Sequence, residues 1–456
     1  MSGVVSWVSD KVGVVRARQW VDQIRHRLSF IPGLYVIGAI VLVQVSLFID
    51  RAVDSTRLPT PLRTTVPGAR SVLTALAGGL ITSITLLLSM MLITIQLASG
   101  QFSPRTLRDW LGDRRLQNTV GLALGTTVYA LLALQAARSF GDSADIELTP
   151  HITTLVALVL GLTALFSVVR SVDHVTHSVR IGSVSRRIAT DTIAAIEDDV
   201  HLQPEQDPSS VPVATVGRST GSMPDLPETA GAIESPLPGW IQQIDDEKVM
   251  AAMPEGSVGY VTVALGAFVP AHAPVMWVDP APADDDPCRQ ELLAAFATGD
   301  SRTLQSDVAF GLLQLTDIAV RALSPGVNDP STACDVVVQL GNVMLRIWEQ
   351  PAASTRIEHD GRTMYRVQAP HEEHLRRAFD PIRRYAAGDA QVLRVLVDHL
   401  LTVRSEVVRR SLVGPTGPID DMIDAIAATA DRSTWSAGES DDFDALLERH
   451  RDVRGN

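Results

Sequence analysis

Three clusters of ionisable side chains and one stripe of hydroxyls have the types and spacing to do chemistry. The first cluster is Asp173-His174-Val-Thr-His177. Its imidazoles are three residues apart and share a helical face, within reach of one metal ion. Asp173 is adjacent in sequence and points off that face, and no third ligand is evident. Two interfacial, partly solvated histidines are the ordinary reading. His174 and His177 stand as a pH-sensing candidate, because imidazole titrates near neutral pH.

The second cluster is His371-Glu-Glu-His374. A zinc-protease helix needs histidines four apart with a glutamate between them, and here they are three apart. The run reads instead as the solvated start of a helix. The third is Ser324-Pro-Gly-Val-Asn-Asp-Pro330, with Asp317 and Arg321 one turn apart before it. Structurally, Asp317 and Arg321 are a favourable helix pair, and Asn328 and Asp329 cap the next helix. Functionally, the same turn makes Asp317, Arg321, Asn328 and Asp329 a candidate ligand or subunit contact, since free amides at a helix start favour an anion. No phosphate loop, nucleophile elbow or dinucleotide glycine pattern is present, so neither a cofactor nor a metal is implied and no catalytic set stands out. Cys288 and Cys334 are too few for a disulfide framework or a metal quartet and suit a reducing compartment.

The hydroxyl stripe lies in Ser71–Ser99, 29 residues without a charge. As a helix this stretch is ~43 Å long, more than the ~30 Å of a hydrocarbon layer. Gly78, Thr82, Thr85, Ser89, Gln96 and Ser99, with Ala75, recur at helical intervals on one face. Small and polar residues there mark either close helix packing or the wall of a water-lined path. Both readings exclude a soluble protein.

Further apolar runs give four spans within residues 31–170: about Ile31–Ile49, the stretch above, about Val120–Ala137 and about Ile152–Val169. Gly121 and Gly125 in the third, and Ala157 and Gly161 in the fourth, have the small-xxx-small spacing of helix-packing faces. A short headgroup-level helix is expected after Ser103-Pro104. Placing the N-terminus inside puts 13 Lys/Arg on inner segments and 5 in outer loops, so both termini are read as cytoplasmic in a bacterial inner membrane.

Around the spans the expected organisation is as follows. Residues 1–30 form an amphipathic cytoplasmic segment, and 171–200 continue helically into the cytosol. Seven prolines make 201–238 a linker. Short alternating runs make 239–280 a small β-rich module, and 281–411 are helical, with a hairpin expected around His359-Asp-Gly361. Residues 412–456 are an acidic C-terminal tail. The fold expected is thus an α-helical integral membrane protein with four transmembrane helices and a cytoplasmic α+β domain containing a barrel-sandwich-like piece. Charge divides accordingly: +4 over residues 1–200 and −17 over 201–456. An acidic soluble half excludes nucleic acid as a partner.

The blocks IQLASGQFSPRTLRDWL (Ile95–Leu111), TTVYALL (Thr126–Leu132) and FGLLQLTDIAVRALSPGVNDPST (Phe310–Thr332) resemble a bacterial family of predicted integral membrane proteins, domain of unknown function 2254. The resemblance covers about Phe30 to Val407. It implies a multi-span membrane protein with a cytosolic C-terminal region and brings no activity or catalytic residues. The expected partners are the lipid bilayer, further copies of the chain and a small ion or ligand. Two functions are carried forward: a homo-oligomeric, channel-like or transport-related protein with a cytoplasmic assembly or gating domain, or a membrane-anchored sensor or scaffold whose soluble domain binds a ligand near Arg321, Asn328 and Asp329. A membrane-bound enzyme is third.

Overall fold

A computed structural model describes residues 30–52, 64–101, 114–141, 150–178, 181–201, 217–219, 223–304, 307–350, 356–367 and 369–455. The expected N-terminal amphipathic segment and the headgroup-level helix after Ser103 lie outside these residues. The chain divides into two compact units, residues 1–180 and 181–456.

The first unit holds four helices, α1 (Phe30–Ala52), α2 (Val66–Gln101), α3 (Arg114–Gly141) and α4 (His151–Ser178). All four are long and apolar enough to cross a membrane. Each outruns its apolar stretch, because a started helix propagates cheaply into polar sequence. α2 has 36 residues and is roughly 54 Å long.

The bundle is built around α3, which packs against α1, α2 and α4. Half of its apolar stretch is buried, against 22%, 17% and 28% for the other three. That position explains its sequence. Ala123, Ala130 and Ala133 let neighbours approach, while Gln117, Thr119, Thr126, Thr127 and Tyr129 are buried among helices. Most of the large apolar residues on α1 and α4 face outward, as lipid contact requires: Leu34, Ile37, Val41, Leu158, Leu162, Phe166 and Val169 are exposed.

The second unit begins with α5 (Ile181–His201), which packs on α8 (Val308–Ala322) and α9 (Pro330–Glu349). α10 (His371–Tyr385), α11 (Ala390–Arg409), α12 (Gly417–Thr429) and α13 (Ala437–Gly455) complete a helical layer. Aspartate caps start three of these helices: Asp307, Asp329 and Asp389 accept from the N–H of Phe310, Thr332 and Val392. The acidic C-terminal tail is corrected. α12 and α13 are docked, with Ile419, Ile423, Ile426 and Phe443 fully buried. Their acidic residues occupy the outer faces, except Asp420, which is buried and paired with Arg404, and that is why composition alone reads as a tail.

The β-rich region forms two sheets. One has the order β1 (Gly217–Ser219), β8 (Arg356–His359), β9 (Arg362–Arg366), β4 (Val258–Val261), β6 (Pro274–Asp279), β2 (Gly231–Glu234). The other has the order β5 (Phe268–Val269), β3 (Gly239–Ile244), β7 (Phe296–Gly299). β1 and β2 lie at the two edges of the larger sheet. All pairs are antiparallel except β4–β9. Ile233, Ile241, Val261, Met276, Leu292 and Met364 share one core, with α6 (Asp246–Ala252) and α7 (Pro287–Ala294) against it. The hairpin expected at His359-Asp-Gly361 is present as β8–β9. Asp360 and Gly361 have φ of 48° and 73°, the doubly left-handed pair of a tight hairpin turn. The reading of 201–238 as linker is corrected in part: Gly217–Ser219 and Gly231–Glu234 are strands. Prolines sit between and beside them, where no ladder N–H is needed.

Candidate functional site

The hydroxyl stripe of α2 faces away from the bundle. Gly78, Thr82, Thr85, Ser89 and Gln96 are all exposed, while Leu73, Ala77, Leu80 and Leu87 on the opposite face are buried. A Cβ placed on Gly78 or Gly79 meets nothing within 4 Å. Thr82 Oγ1 donates to the Gly78 carbonyl at 3.0 Å and Thr85 Oγ1 to the Ile81 carbonyl at 2.9 Å. Their protons are held by their own helix, so oxygen lone pairs are what this face presents. Ser99 lies in α2 by its backbone alone.

Gly121 and Gly125 of α3 and Gly161 of α4 are in tight contacts, whereas Gly33 and Gly38 of α1 meet nothing within 4 Å. A Cβ on Gly121 would sit 2.6 Å from the Tyr35 ring, and one on Gly125 2.9 Å from the Tyr35 carbonyl oxygen. One on Gly161 would sit 2.6 Å from Leu76, and Ala157 is fully buried. These small residues let α3 approach α1, and α4 approach α2.

Two polar clusters join helix ends inside the bundle. At one end, Asp50 of α1 caps α4 across a hundred residues of sequence. Ile152 N–H donates to Asp50 Oδ1 at 2.7 Å, and Thr153 N–H and Oγ1 donate to Oδ2 at 3.0 and 2.6 Å. The Tyr129 hydroxyl lies 2.7 Å from Ser46 Oγ and donates to the Thr153 carbonyl at 3.2 Å. His151 Nδ1 accepts from the Thr64 N–H at 2.9 Å. At the other end, Thr119 Oγ1 lies 2.9 Å from Ser167 Oγ and 2.7 Å from Ser171 Oγ, tying α3 to α4. Sequence reasoning passes over both clusters. Their only signal is single polar residues at span ends, where polar residues are ordinary.

In the second unit, the Ser324–Pro330 turn is held by its own backbone. Asn328 is exposed at φ 48°, and Asp329 N–H donates to the Ala322 carbonyl. Both Asp329 oxygens are used by Thr332, from N–H at 3.1 Å and Oγ1 at 2.6 Å. Asp317 and Arg321 are half-buried on α8.

His371 and His374 do not form a solvated helix start, which corrects that reading. His371 is buried, stacks edge-on against Trp348 and donates from Nε2 to the Ile347 carbonyl at 3.1 Å. His374 has its Nδ1 buried with no hydrogen-bond partner among the described residues. Burial, reinforced by Arg377 and the neighbouring His371, pushes its imidazole down to about 4. His174 and His177 lie in α4 by backbone, and their side chains are outside the described residues. Among the described residues no three His, Cys, Asp or Glu side chains are grouped to hold a metal ion. Cys288 and Cys334 are both free thiols pushed up to about 11, chiefly by burial, so neither is a thiolate at neutral pH.

A family model described as "Predicted membrane protein (DUF2254)" matches residues 25–402. The chain belongs to this family. The DUF2254 match takes in the whole bundle, both sheets and α5 through most of α11, and stops short of α12 and α13. Uncharacterized proteins of Mycobacterium tuberculosis and Mycobacterium bovis are each 29% identical to this DUF2254 chain over 357 residues. The match covers 75% of this chain and 65% of each relative, so the chain spans less than two thirds of their length. No solved structure matches.

Proposed function

We propose that this DUF2254 protein is a channel-like homo-oligomer. Copies would meet through the outward face of α2, with Gly78, Thr82, Thr85, Ser89, Gln96 and Ser99 along the axis. The second unit would lie in the cytosol and assemble or gate the path. The observation that carries this reading is the orientation of the stripe. Lipid contact needs no glycines or hydroxyls, yet Gly78, Thr82, Thr85, Ser89 and Gln96 are exposed beside Leu86, Leu92 and Ile93, and the buried residues of α2 are leucine and alanine. A second copy is the occupant that fits, because Gly78 and Gly79 leave a flat strip on which an identical helix can close. With the Thr82 and Thr85 protons bonded within the helix, outward oxygen lone pairs favour a cation over an anion.

The test is potassium efflux from vesicles reconstituted with the full chain, with the oligomer mass measured in parallel. Wild-type vesicles should leak, and Thr82→Trp or Ser89→Trp should block the leak. A protein that is monomeric in detergent and passes no ion would overturn the proposal.

A further inference from the structure

We propose that one end of the smaller sheet is a docking tip for the lipid surface, into which it inserts Leu237 and Phe268. The tip is made of two neighbouring loops, residues 235–238 and 268–273. Gly239 and Trp240 of β3 pair with Val269 and Phe268 of β5, so the loops beside these strands lie at one end. They are also tied to each other. Ser235 N–H donates to the Ala273 carbonyl at 3.0 Å, and His272 N–H donates to the Ser235 carbonyl at 2.8 Å. Leu237 is 68% exposed and Phe268 53%. Trp240, half-buried, meets the Phe268 ring edge-on with centroids 5.5 Å apart. Large apolar side chains grouped on an open surface mark a contact with something apolar.

Three observations favour lipid as that partner. The first is charge: no Asp, Glu, Lys or Arg occurs in 235–244 or 256–278, within a half of the chain that carries −17. The second is the backbone, since an apolar medium penalises open N–H and carbonyl groups. Pro236, Pro238 and Pro270 have no N–H to satisfy, the Ser235 and His272 N–H groups are used as above, and Ser235 Oγ donates to the Leu237 carbonyl at 2.7 Å. The third is the leash. α5 opens at Ile181, close behind the fourth apolar stretch, which ends at Asp173, so this unit is held at high effective concentration near a bilayer. A protein partner would need polar groups for its rim, and these loops offer few. Leu, Phe and a Trp behind them are what a membrane–water boundary takes up. Glu234, before the first loop, and Asp300, after the β7 residue that pairs with Trp240, are exposed and mark where the surface returns to water.

The experiment uses the full chain with Cys288→Ser and Cys334→Ser, carrying a polarity-sensitive fluorophore at Leu237→Cys and reconstituted in phosphatidylcholine vesicles. Val413→Cys is the control, because Val413 is 63% exposed but follows Arg409 and Arg410 in sequence. The label at 237 should emit to the blue of the control and be quenched by nitroxide-bearing lipid. A nitroxide near the top of the acyl chain should quench more than one at its end, since such insertion is only about 5–10 Å deep. Phe268→Glu should remove most of the quenching. Equal quenching at 237 and 413 would overturn the proposal, as would quenching that Phe268→Glu leaves unchanged. A blue-shifted label that no lipid quenches would put a protein surface over the tip and overturn the lipid assignment.

Discussion

His374 is the residue whose chemistry departs furthest from what its neighbours in sequence suggest. Between Glu373 and Arg376-Arg377 it looks solvated, but α10 turns it inward and burial holds it neutral down to about pH 4. The unfolded chain takes up that proton near pH 6.5. Above pH 6.5 both states are neutral and the full stability is present. As pH falls from 6.5 toward 4, only the unfolded chain gains a proton, so stability is lost. Between pH 7.5 and 5 the wild-type second unit should lose about 2 kcal/mol more than a His374→Leu variant. Denaturant melts followed by tryptophan fluorescence at the two pH values check this. Identical losses would mean that His374 is solvated after all. Asp50 shows the same limit of local reading. As the first apolar run gives way to Asp50-Arg51 it reads as the end of a span, and its use as a cap for α4 depends on residues 152 and 153.

At the scale of elements, the four spans, the hairpin at Asp360-Gly361 and the aspartate cap before α9 are legible because each is set by local chemistry. Apolar length, a left-handed pair and an Asp-plus-helix start are all written within a few residues. Which helix is central is not. α3 is the least apolar of the four, and it is buried by its neighbours, a property of the bundle. The strands β1 and β2 escape for a related reason. Each has three or four residues, and their partners β8 and β6 start 137 and 40 residues beyond their ends. The two kinds of glycine in the bundle give a direct contrast. Gly125→Ala presses a methyl to 2.9 Å from the Tyr35 carbonyl and should lower the melting midpoint by several degrees, at a cost of about 1–3 kcal/mol. Gly78→Leu meets open space within the chain, so the helical signal should be unchanged while the oligomer dissociates. Circular dichroism and the mass in detergent read the two effects separately. A Gly78→Leu protein with unaltered mass would place the copy-to-copy contact elsewhere.

At the scale of the molecule, the division of charge follows the division into units. A nearly balanced bundle is joined to a second unit with a deep excess of acid. Acidic residues concentrate cations around them, in the same sense as the lone pairs presented by α2. The candidate site in the second unit contributes less to this picture, since Asp329 is committed to Thr332 and its turn is complete without a ligand. The proposed function therefore rests on the membrane bundle, and within it on the outward orientation of α2. The most direct measurement is disulfide cross-linking of Thr85→Cys in native membranes, with Cys288 and Cys334 replaced by serine. If α2 meets α2 of another copy, mild oxidation should give covalent dimers from Thr85→Cys and none from a cysteine at buried Leu80. A Thr85→Cys protein that stays monomeric on the gel and reacts instead with a lipid-phase thiol reagent would contradict the account.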